Sequence, residues 1–205
     1  MGDDEVPLNA RTRGRSSQRL PFLGVDRCEE CGFSYDETAA SQAAPAILAR
    51  AGELGGLLAI PSALVGRRRR SETWSALDYC CHVRDVLLVQ RERVLAARRA
   101  QRPVFDPMGR DERVEHDGYA EQDPADVRRQ LADAAKLFSN VLRRLGPTDW
   151  ERRVVYPYPE PTERSLRWLA VHTQHEVEHH LLDVRRQVLV ESDPTEQIRP
   201  PAGSP

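Results

Sequence analysis

The chain has 205 residues and a formal net charge of −2, so its composition gives no reason to expect binding to nucleic acid or to an acidic membrane surface. Its length suits one domain with a substantial core, and it contains neither a long apolar run nor a signal-like leader, which predicts a cytoplasmic protein. In that compartment its four cysteines are expected to be thiols or metal ligands rather than disulfides.

The two ends of the chain are predicted to be flexible tails. Residues 1–27 mix Gly, Pro, Ser and Arg without periodicity, and residues 191–205 are rich in Pro and polar side chains. Residues 28–190 are predicted to form one helical domain, which begins with a Cys-x-x-Cys arm over residues 28–41.

The first two helices are predicted from apolar periodicity and from their end signals. Pro45 opens a short helix over residues 46–60, which a second proline ends. Ser75 caps a longer helix that runs to about Ala100, and Asp78 in its first turn suits the positive end of the helix dipole.

A long connection precedes the third helix. Residues 103–124 contain three prolines and two glycines, and a loop of this length is usually functional or mobile. Asp123 caps the third helix, Pro124 occupies its first position, and the helix ends at Gly146.

An extended segment separates the third helix from the fourth. Three prolines at alternating positions in residues 150–161 exclude a helix there and leave an extended arm or a small hairpin. The fourth helix is predicted to start within residues 162–165 and to run to about Val190. Four such helices predict an all-α four-helix bundle, in which inward side chains on facing helices build metal sites.

The fourth helix carries four of the six histidines, and this cluster predicts a metal site. His175 and His179 share one helical face about one turn (~6 Å) apart, so both could bind one ion at about 2.0–2.1 Å. His172 lies too far along the axis from His179, whereas His82 lies mid-way along the second helix. The predicted ligands are His82, His175 and His179; the alternative is that these histidines are hydrogen-bonded core residues.

Two carboxylates are candidates for supporting roles. Asp85 and Glu176 could accept the second ring N–H of a liganding imidazole. Glu176 would instead be the general base if His175-Glu-Val-Glu-His179 acted as the H-E-x-x-H motif of zinc peptidases. That motif needs a further ligand, for which only Glu191 follows in a proline-bearing tail, and it needs a sheet to hold substrate, so the peptidase hypothesis ranks below the others.

The motif Cys28-Glu-Glu-Cys31-Gly is half of a zinc-ribbon pattern. The two cysteines could be free thiols, a redox pair, or half of a structural site completed from elsewhere. If the second and fourth helices run antiparallel, Cys81, which precedes His82, and His180, which follows His179, turn to the same flank of the bundle. These residues complete a second candidate metal site, the set Cys28, Cys31, Cys81 and His180.

Three sequence features carry a resemblance to a known family: Trp74-Ser75 opening a helix, Cys-His-Val-Arg-Asp ending at Asp85, and His-Glu-Val-Glu-His-His-Leu-Leu-Asp-Val beginning at His175. Together they resemble the DinB-like superfamily, which includes mycothiol-dependent maleylpyruvate isomerases and bacillithiol transferases, over roughly residues 42–190. The resemblance implies an up-down-down-up bundle with one divalent ion, zinc or nickel, on His82, His175 and His179. In the mycothiol isomerase branch the position equivalent to His175 looks to be a Glu, so this chain looks like a variant whose three ligands are all histidines.

The predicted function is that of a metal-dependent enzyme acting on a small molecule. Three neutral imidazoles would leave the ion strongly charged and open, able to activate water or a low-molecular-weight thiol. The resemblance implies a thiol transferase, an isomerase or a hydrolase, with mycothiol as a candidate co-substrate and a monomer or homodimer as the assembly. Non-catalytic alternatives are a metal-binding stress-response module and a metal-free bundle. Catalytic residues stay unassigned, and loose candidates for substrate contact are Arg110, Arg113, Tyr156 and Tyr158.

Overall fold

The computed structural model describes residues 27–188, so the predicted tails lie outside the described residues except for Arg27. The helices and strands in chain order are α1 (Ala43–Leu57), α2 (Ser62–Val65), α3 (Ala76–Arg99), α4 (Arg110–His116), α5 (Pro124–Leu142), α6 (Pro147–Trp150), β1 (Arg153–Tyr156), β2 (Thr162–Ser165) and α7 (Leu166–Val188). Short 3₁₀ helices cover Glu37–Gln42 and Tyr119–Glu121. The four long helices α1, α3, α5 and α7 form the predicted all-α four-helix bundle.

The direction of α1 follows from its contacts at either end. Glu53, late in α1, accepts a 2.7 Å hydrogen bond from Arg185, late in α7, so these two helices run parallel. Ser139, late in α5, donates to the carbonyl of Ala44 at the start of α1, so α1 and α5 run antiparallel. Both helices pack along α1.

Helix α3 occupies the corner of the bundle opposite α1, because it packs against the same two neighbours. His82, early in α3, lies 5.0 Å (ring centroids) from His180, late in α7, so α3 and α7 run antiparallel. Arg84 donates a 2.7 Å hydrogen bond to Gln130 in the first half of α5, so α3 and α5 run parallel. The resulting order of directions is up-down-down-up, as expected.

Both predicted helix caps are present. The Ser75 hydroxyl accepts from the backbone N–H of Asp78, whose carboxylate accepts from the N–H of Ser75, each at 3.1 Å, which completes a capping box. Asp123 accepts from two backbone N–H groups at the start of α5, and Pro124 takes the first helical position. Local sequence therefore fixes where α3 and α5 begin.

The proline-rich segment before α7 forms the hairpin rather than an arm. Strands β1 and β2 pair antiparallel, with Arg153 opposite Ser165. The second strand occupies residues 162–165, so the fourth helix starts later than predicted, at Leu166. The reason is local, because residues 162–165 pair with β1 through their backbone N–H and C=O groups. The Ser165 hydroxyl then accepts a hydrogen bond from the N–H of Trp168 at 2.9 Å and caps the helix.

The core lies between the four long helices, and most of the buried polar and charged side chains belong to α3 and α7. Its largest fully buried side chains include Ile47, Leu54, Leu87, Leu131, Phe138, Leu142 and Leu169. Among the helices of residues 27–188, none combines the length and the apolar character that crossing a lipid bilayer requires.

Candidate metal centre

The antiparallel contact between α3 and α7 brings together three buried ligand-type side chains. Glu176 and His180 lie one turn apart on α7, and His82 faces them from α3. One candidate ligand atom from each of the three residues lies within 4.8 Å of the others. We refer to these three residues as the pocket group.

The pocket group has the donor set and the unmet polar atoms that a divalent cation would satisfy. His180 Nε2 lies 3.8 Å from Glu176 Oε2, close to the roughly 3.4 Å that separates ligand atoms on one tetrahedral ion. Within residues 27–188, the buried atoms His82 Nδ1 and Glu176 Oε1 have no hydrogen-bond partner. Buried polar atoms without partners are costly and uncommon, so their presence supports a ligand at this group.

Burial also sets the protonation states in this group. It lowers the pKa of His82 well below its ordinary value, and the neighbouring His180 adds to that effect. The imidazole is therefore neutral, which is the form that binds metals. Burial raises the pKa of Glu176, so its carboxylate needs a nearby positive charge to remain ionised at low cost.

Asp183 orients the ring of one candidate ligand, His180. Its Oδ2 atom lies 3.0 Å from His180 Nδ1, which leaves Nε2 of that ring directed at Glu176. This is the carboxylate–imidazole arrangement that supports metal-bound histidines. Asp85, predicted for such a role, lies elsewhere: it accepts from Tyr119 at 2.7 Å and from Arg84 at 2.8 Å.

A cavity of about 610 Å³ opens onto the pocket group, and all three of its residues line the cavity. Three of the four loose candidates for substrate contact line this cavity, namely Arg110, Tyr156 and Tyr158. The fourth, Arg113, donates a hydrogen bond to the carbonyl of Met108. The connection predicted to be functional contributes Pro107–Glu112 to this lining.

A second group, with three buried members and the half-buried Cys31, lies at the adjacent face of α7. Cys28, Cys31, His175 and His179 also bring one candidate ligand atom each to within 4.8 Å of one another. Burial lowers the pKa of His175 to about 3, with His179 adding to the effect, and raises the pKa of Cys31 to about 11. We refer to these four residues as the knuckle group.

The structure therefore groups the predicted ligands differently from the sequence prediction. His82 does not meet His175 and His179 in any ligand group of residues 27–188; it meets Glu176 and His180. Helix α7 carries two such pairs offset by one residue, or about 100°, and its rotation in the bundle turns Glu176 and His180 toward α3.

The predicted second set changes for the same reason. Cys28 and Cys31 meet His175 and His179, while His180 belongs to the pocket group. Cys81 Sγ lies 3.6 Å from Gln122 Oε1, away from the other cysteines, and burial raises the pKa of Cys81 to about 12. The Cys-x-x-Cys motif thus has histidine partners, but not the predicted ones.

The sequence prediction gave Glu176 a supporting or general-base role rather than a place among the candidate ligands, and it did not include Asp183. The spacing could have indicated this second pair, because Glu176 and His180 are four residues apart, as are His175 and His179. His172, judged too distant to be a ligand, stacks on Trp168 with ring centroids 4.5 Å apart and reaches the Tyr35 hydroxyl at 3.2 Å.

The fold and these buried groups define a helical-bundle protein with candidate metal sites. The chain belongs to the DinB superfamily, which it matches over residues 43–184. It is similar in structure to YfiT from Bacillus subtilis, described as "a probable metal-dependent hydrolase with an unusual four-helix bundle topology". The TM-score is 0.60 at 16% identity, covering 73% of this chain and 86% of that chain, so the likeness shows the fold. No curated protein matches the chain.

Proposed function

We propose that this protein is a metal-dependent enzyme that uses water or a low-molecular-weight thiol as nucleophile against a small molecule in the cavity. The observation that carries the proposal is the position of the pocket group: its three side chains are buried together and line the cavity. Catalytic zinc sites typically combine three protein ligands with one open position, and histidine with glutamate is a recurrent ligand set.

A divalent ion, zinc in the first place, would lower the pKa of a water or thiol bound to it and supply a nucleophile near neutral pH. His82, Glu176 and His180 would bind this ion. Because Glu176 contributes a negative charge, the group would leave the ion less positive than the predicted set of three imidazoles. Asp183 would keep the proton on His180 Nδ1 and so hold Nε2 toward the ion.

The cavity wall carries two guanidinium groups suited to a substrate or co-substrate with a carboxylate. Arg93 is 7% exposed, donates to the carbonyl of Asp106 at 2.6 Å, and lies 4.9 Å from the Tyr156 ring centroid. Arg110 lies 5.4 Å from the ring centroid of Trp74. The contacts of Arg93 hold its guanidinium in place before a substrate arrives, which lowers the ordering cost of binding an anion, whereas Arg110 is partly exposed and also pairs with Asp111 at 3.2 Å.

Metal analysis tests the first half of the proposal. The Cys28→Ser, Cys31→Ser protein lacks both thiols of the knuckle group, so any ion that it binds can be assigned to the pocket group. We expect it to bind one divalent ion. Adding His82→Ala should remove that ion, whereas adding His116→Ala should not, because His116 is an exposed histidine outside the cavity. Equal metal content in both derivatives would contradict the proposed ligand set.

Cobalt substitution tests the nucleophile. In the same Cys28→Ser, Cys31→Ser protein, a low-molecular-weight thiol such as mycothiol should add thiolate-to-cobalt absorption if it reaches the ion. If thiols leave the spectrum unchanged while ester or amide substrates are hydrolysed, water is the nucleophile. If neither happens at full metal occupancy, the ion has a structural role and the enzyme hypothesis fails.

A further inference from the structure

We propose that Cys28, Cys31, His175 and His179 form a second metal site, a structural zinc site that fastens the N-terminal hairpin to α7. This site is separate from the pocket group and from the proposed enzymatic function. It rests on the geometry of the hairpin, on the position of the two histidines, and on the partners of their remaining ring nitrogens.

Residues 27–34 form a tight hairpin, which we call the knuckle hairpin. Arg27 and Ser34 make an antiparallel bridge, and the N–H of Cys28 donates to the carbonyl of Phe33 at 2.7 Å. Gly32 has φ +74°, a left-handed conformation that side chains other than glycine rarely adopt, and its N–H donates to the carbonyl of Cys28 at 2.9 Å. The turn thereby presents two cysteines at the spacing of zinc ligands.

The knuckle hairpin lies directly against the histidine pair of α7. Cys28 Sγ is 3.7 Å from His179 Nδ1, and sulfur and nitrogen ligands on a tetrahedral zinc ion are about 3.6 Å apart. All four ligand atoms fall within 4.8 Å of one another, and Cys28, His175 and His179 are buried. Two thiolates and two imidazoles suit zinc and disfavour magnesium or calcium, which prefer oxygen ligands.

The other ring nitrogen of His175 has a hydrogen-bond partner, as in metal-bound imidazoles, and that of His179 faces two nearby carboxylates. A 2.8 Å hydrogen bond joins His175 Nδ1 to the Tyr35 hydroxyl, which assigns Nε2 to the ion. His179 directs Nδ1 at Cys28 and Nε2 at two carboxylates, Glu30 at 3.5 Å and Asp183 at 3.8 Å. Glu30 belongs to the knuckle hairpin itself, so the hairpin supplies ligands and support together.

Four protein ligands close the coordination shell, which is the pattern of structural rather than catalytic zinc. Of the four residues, His179 lines the cavity, whereas Cys28, Cys31 and His175 do not, so the ion would lie on the far side of the cavity wall from the pocket group. Its role would be to fix the hairpin and the rotation of α7. Asp183 links the two groups, because the same Oδ2 atom lies 3.0 Å from His180 and 3.8 Å from His179.

Metal counting separates the two sites. We expect two zinc ions per native chain, one in His82→Ala, one in Cys28→Ser, Cys31→Ser, and none in the combined protein. The ion that remains in His82→Ala should, after cobalt substitution, show thiolate-to-cobalt absorption. One ion per native chain, with no such absorption in His82→Ala, would overturn the knuckle site and leave the pocket group untouched.

Thiol reactivity gives an independent test on unsubstituted cysteines. In the His82→Ala protein, Cys28 and Cys31 should resist iodoacetamide until a chelator is added, because coordinated sulfur is shielded. Buried Cys80 and Cys81 serve as internal references that react only after unfolding. Rapid labelling of Cys28 and Cys31 without chelator would overturn the proposal, even if the Cys28→Ser, Cys31→Ser protein failed to fold.

Thermal unfolding reports the structural role. In His82→Ala, which retains only the knuckle ion, chelation should lower the Tm by roughly 10 °C, since a tightly bound ligand contributes several kcal/mol to a chain of this size. In the Cys28→Ser, Cys31→Ser, His82→Ala protein, the chelator should leave the Tm unchanged. An unchanged Tm in His82→Ala would exclude a structural zinc ion.

Discussion

Glu176 belongs to the pocket group and lies close to a member of the knuckle group as well. Its Oε2 atom is 3.8 Å from His180 in the pocket group, and its Oε1 atom is 3.9 Å from His175 Nδ1 in the knuckle group. Its neighbours His172 and Tyr156 are also buried, so the carboxylate sits in a region where burial raises its pKa. A cation in the pocket group would offset that penalty.

Replacing Glu176 with glutamine tests this role at the level of one residue. The Glu176→Gln side chain keeps its shape but loses the charge, so affinity for the pocket ion should fall at least 100-fold, by analogy with the roughly 10–100-fold effect of losing a supporting partner. Competition with a chromophoric chelator measures the change. Glu178→Gln is the matched control, since Glu178 instead accepts a hydrogen bond from Gln174 at 2.8 Å. Equal affinities in the two variants would rule out Glu176 as a ligand.

At the scale of elements, the start of α3 matters because this helix carries His82 less than two turns further on. The capping box of Ser75 and Asp78 fixes that start, and Arg68 adds a 2.9 Å ion pair to Asp78. The cap could be predicted because it is local in sequence. The Arg68 contact could not, because it depends on how the segment before α3 folds back onto that helix.

Removing the Ser75 cap should lower the stability of the folded protein by a measurable amount. We expect Ser75→Ala to lower the free energy of unfolding by about 0.5–2 kcal/mol, because the first-turn N–H of Asp78 loses its acceptor. Urea denaturation measures the difference. The control is Ser71→Ala, an exposed serine whose hydroxyl donates to the carboxylate of the adjacent Glu72 at 3.1 Å, and its effect should stay within about 0.5 kcal/mol. A Ser75 effect no larger than this would contradict the capping role.

At the scale of the whole molecule, an apolar core holds the four helices in the rotation that creates both ligand groups. Phe138 on α5 is fully buried, whereas the adjacent Leu137 is 43% exposed. Phe138→Ala should therefore lower the free energy of unfolding by about 3–5 kcal/mol through lost burial and a cavity. Leu137→Ala should cost far less.

Guanidinium denaturation of the metal-free protein gives both values without contributions from ion binding. Similar losses in Phe138→Ala and Leu137→Ala would mean that α5 packs with a different face inward. If the slope of unfolding free energy against denaturant concentration is the same in both variants, each substitution changes stability and not the surface area exposed on unfolding.

The sequence alone determined the four long helices, the caps of α3 and α5, the choice between an arm and a hairpin before α7, and the clustering of ligand-type side chains on α7. It could do so because periodicity, capping and proline effects act over a few residues. The sequence did not determine which of the candidate ligands lie close together in the fold. Residues 175 and 179 and residues 176 and 180 form equally spaced pairs, turned by about 100° from each other. Only the packing of α7 against α3 and the knuckle hairpin decides that Glu176 and His180 face His82 while His175 and His179 face Cys28, since helix rotation depends on contacts between residues distant in sequence.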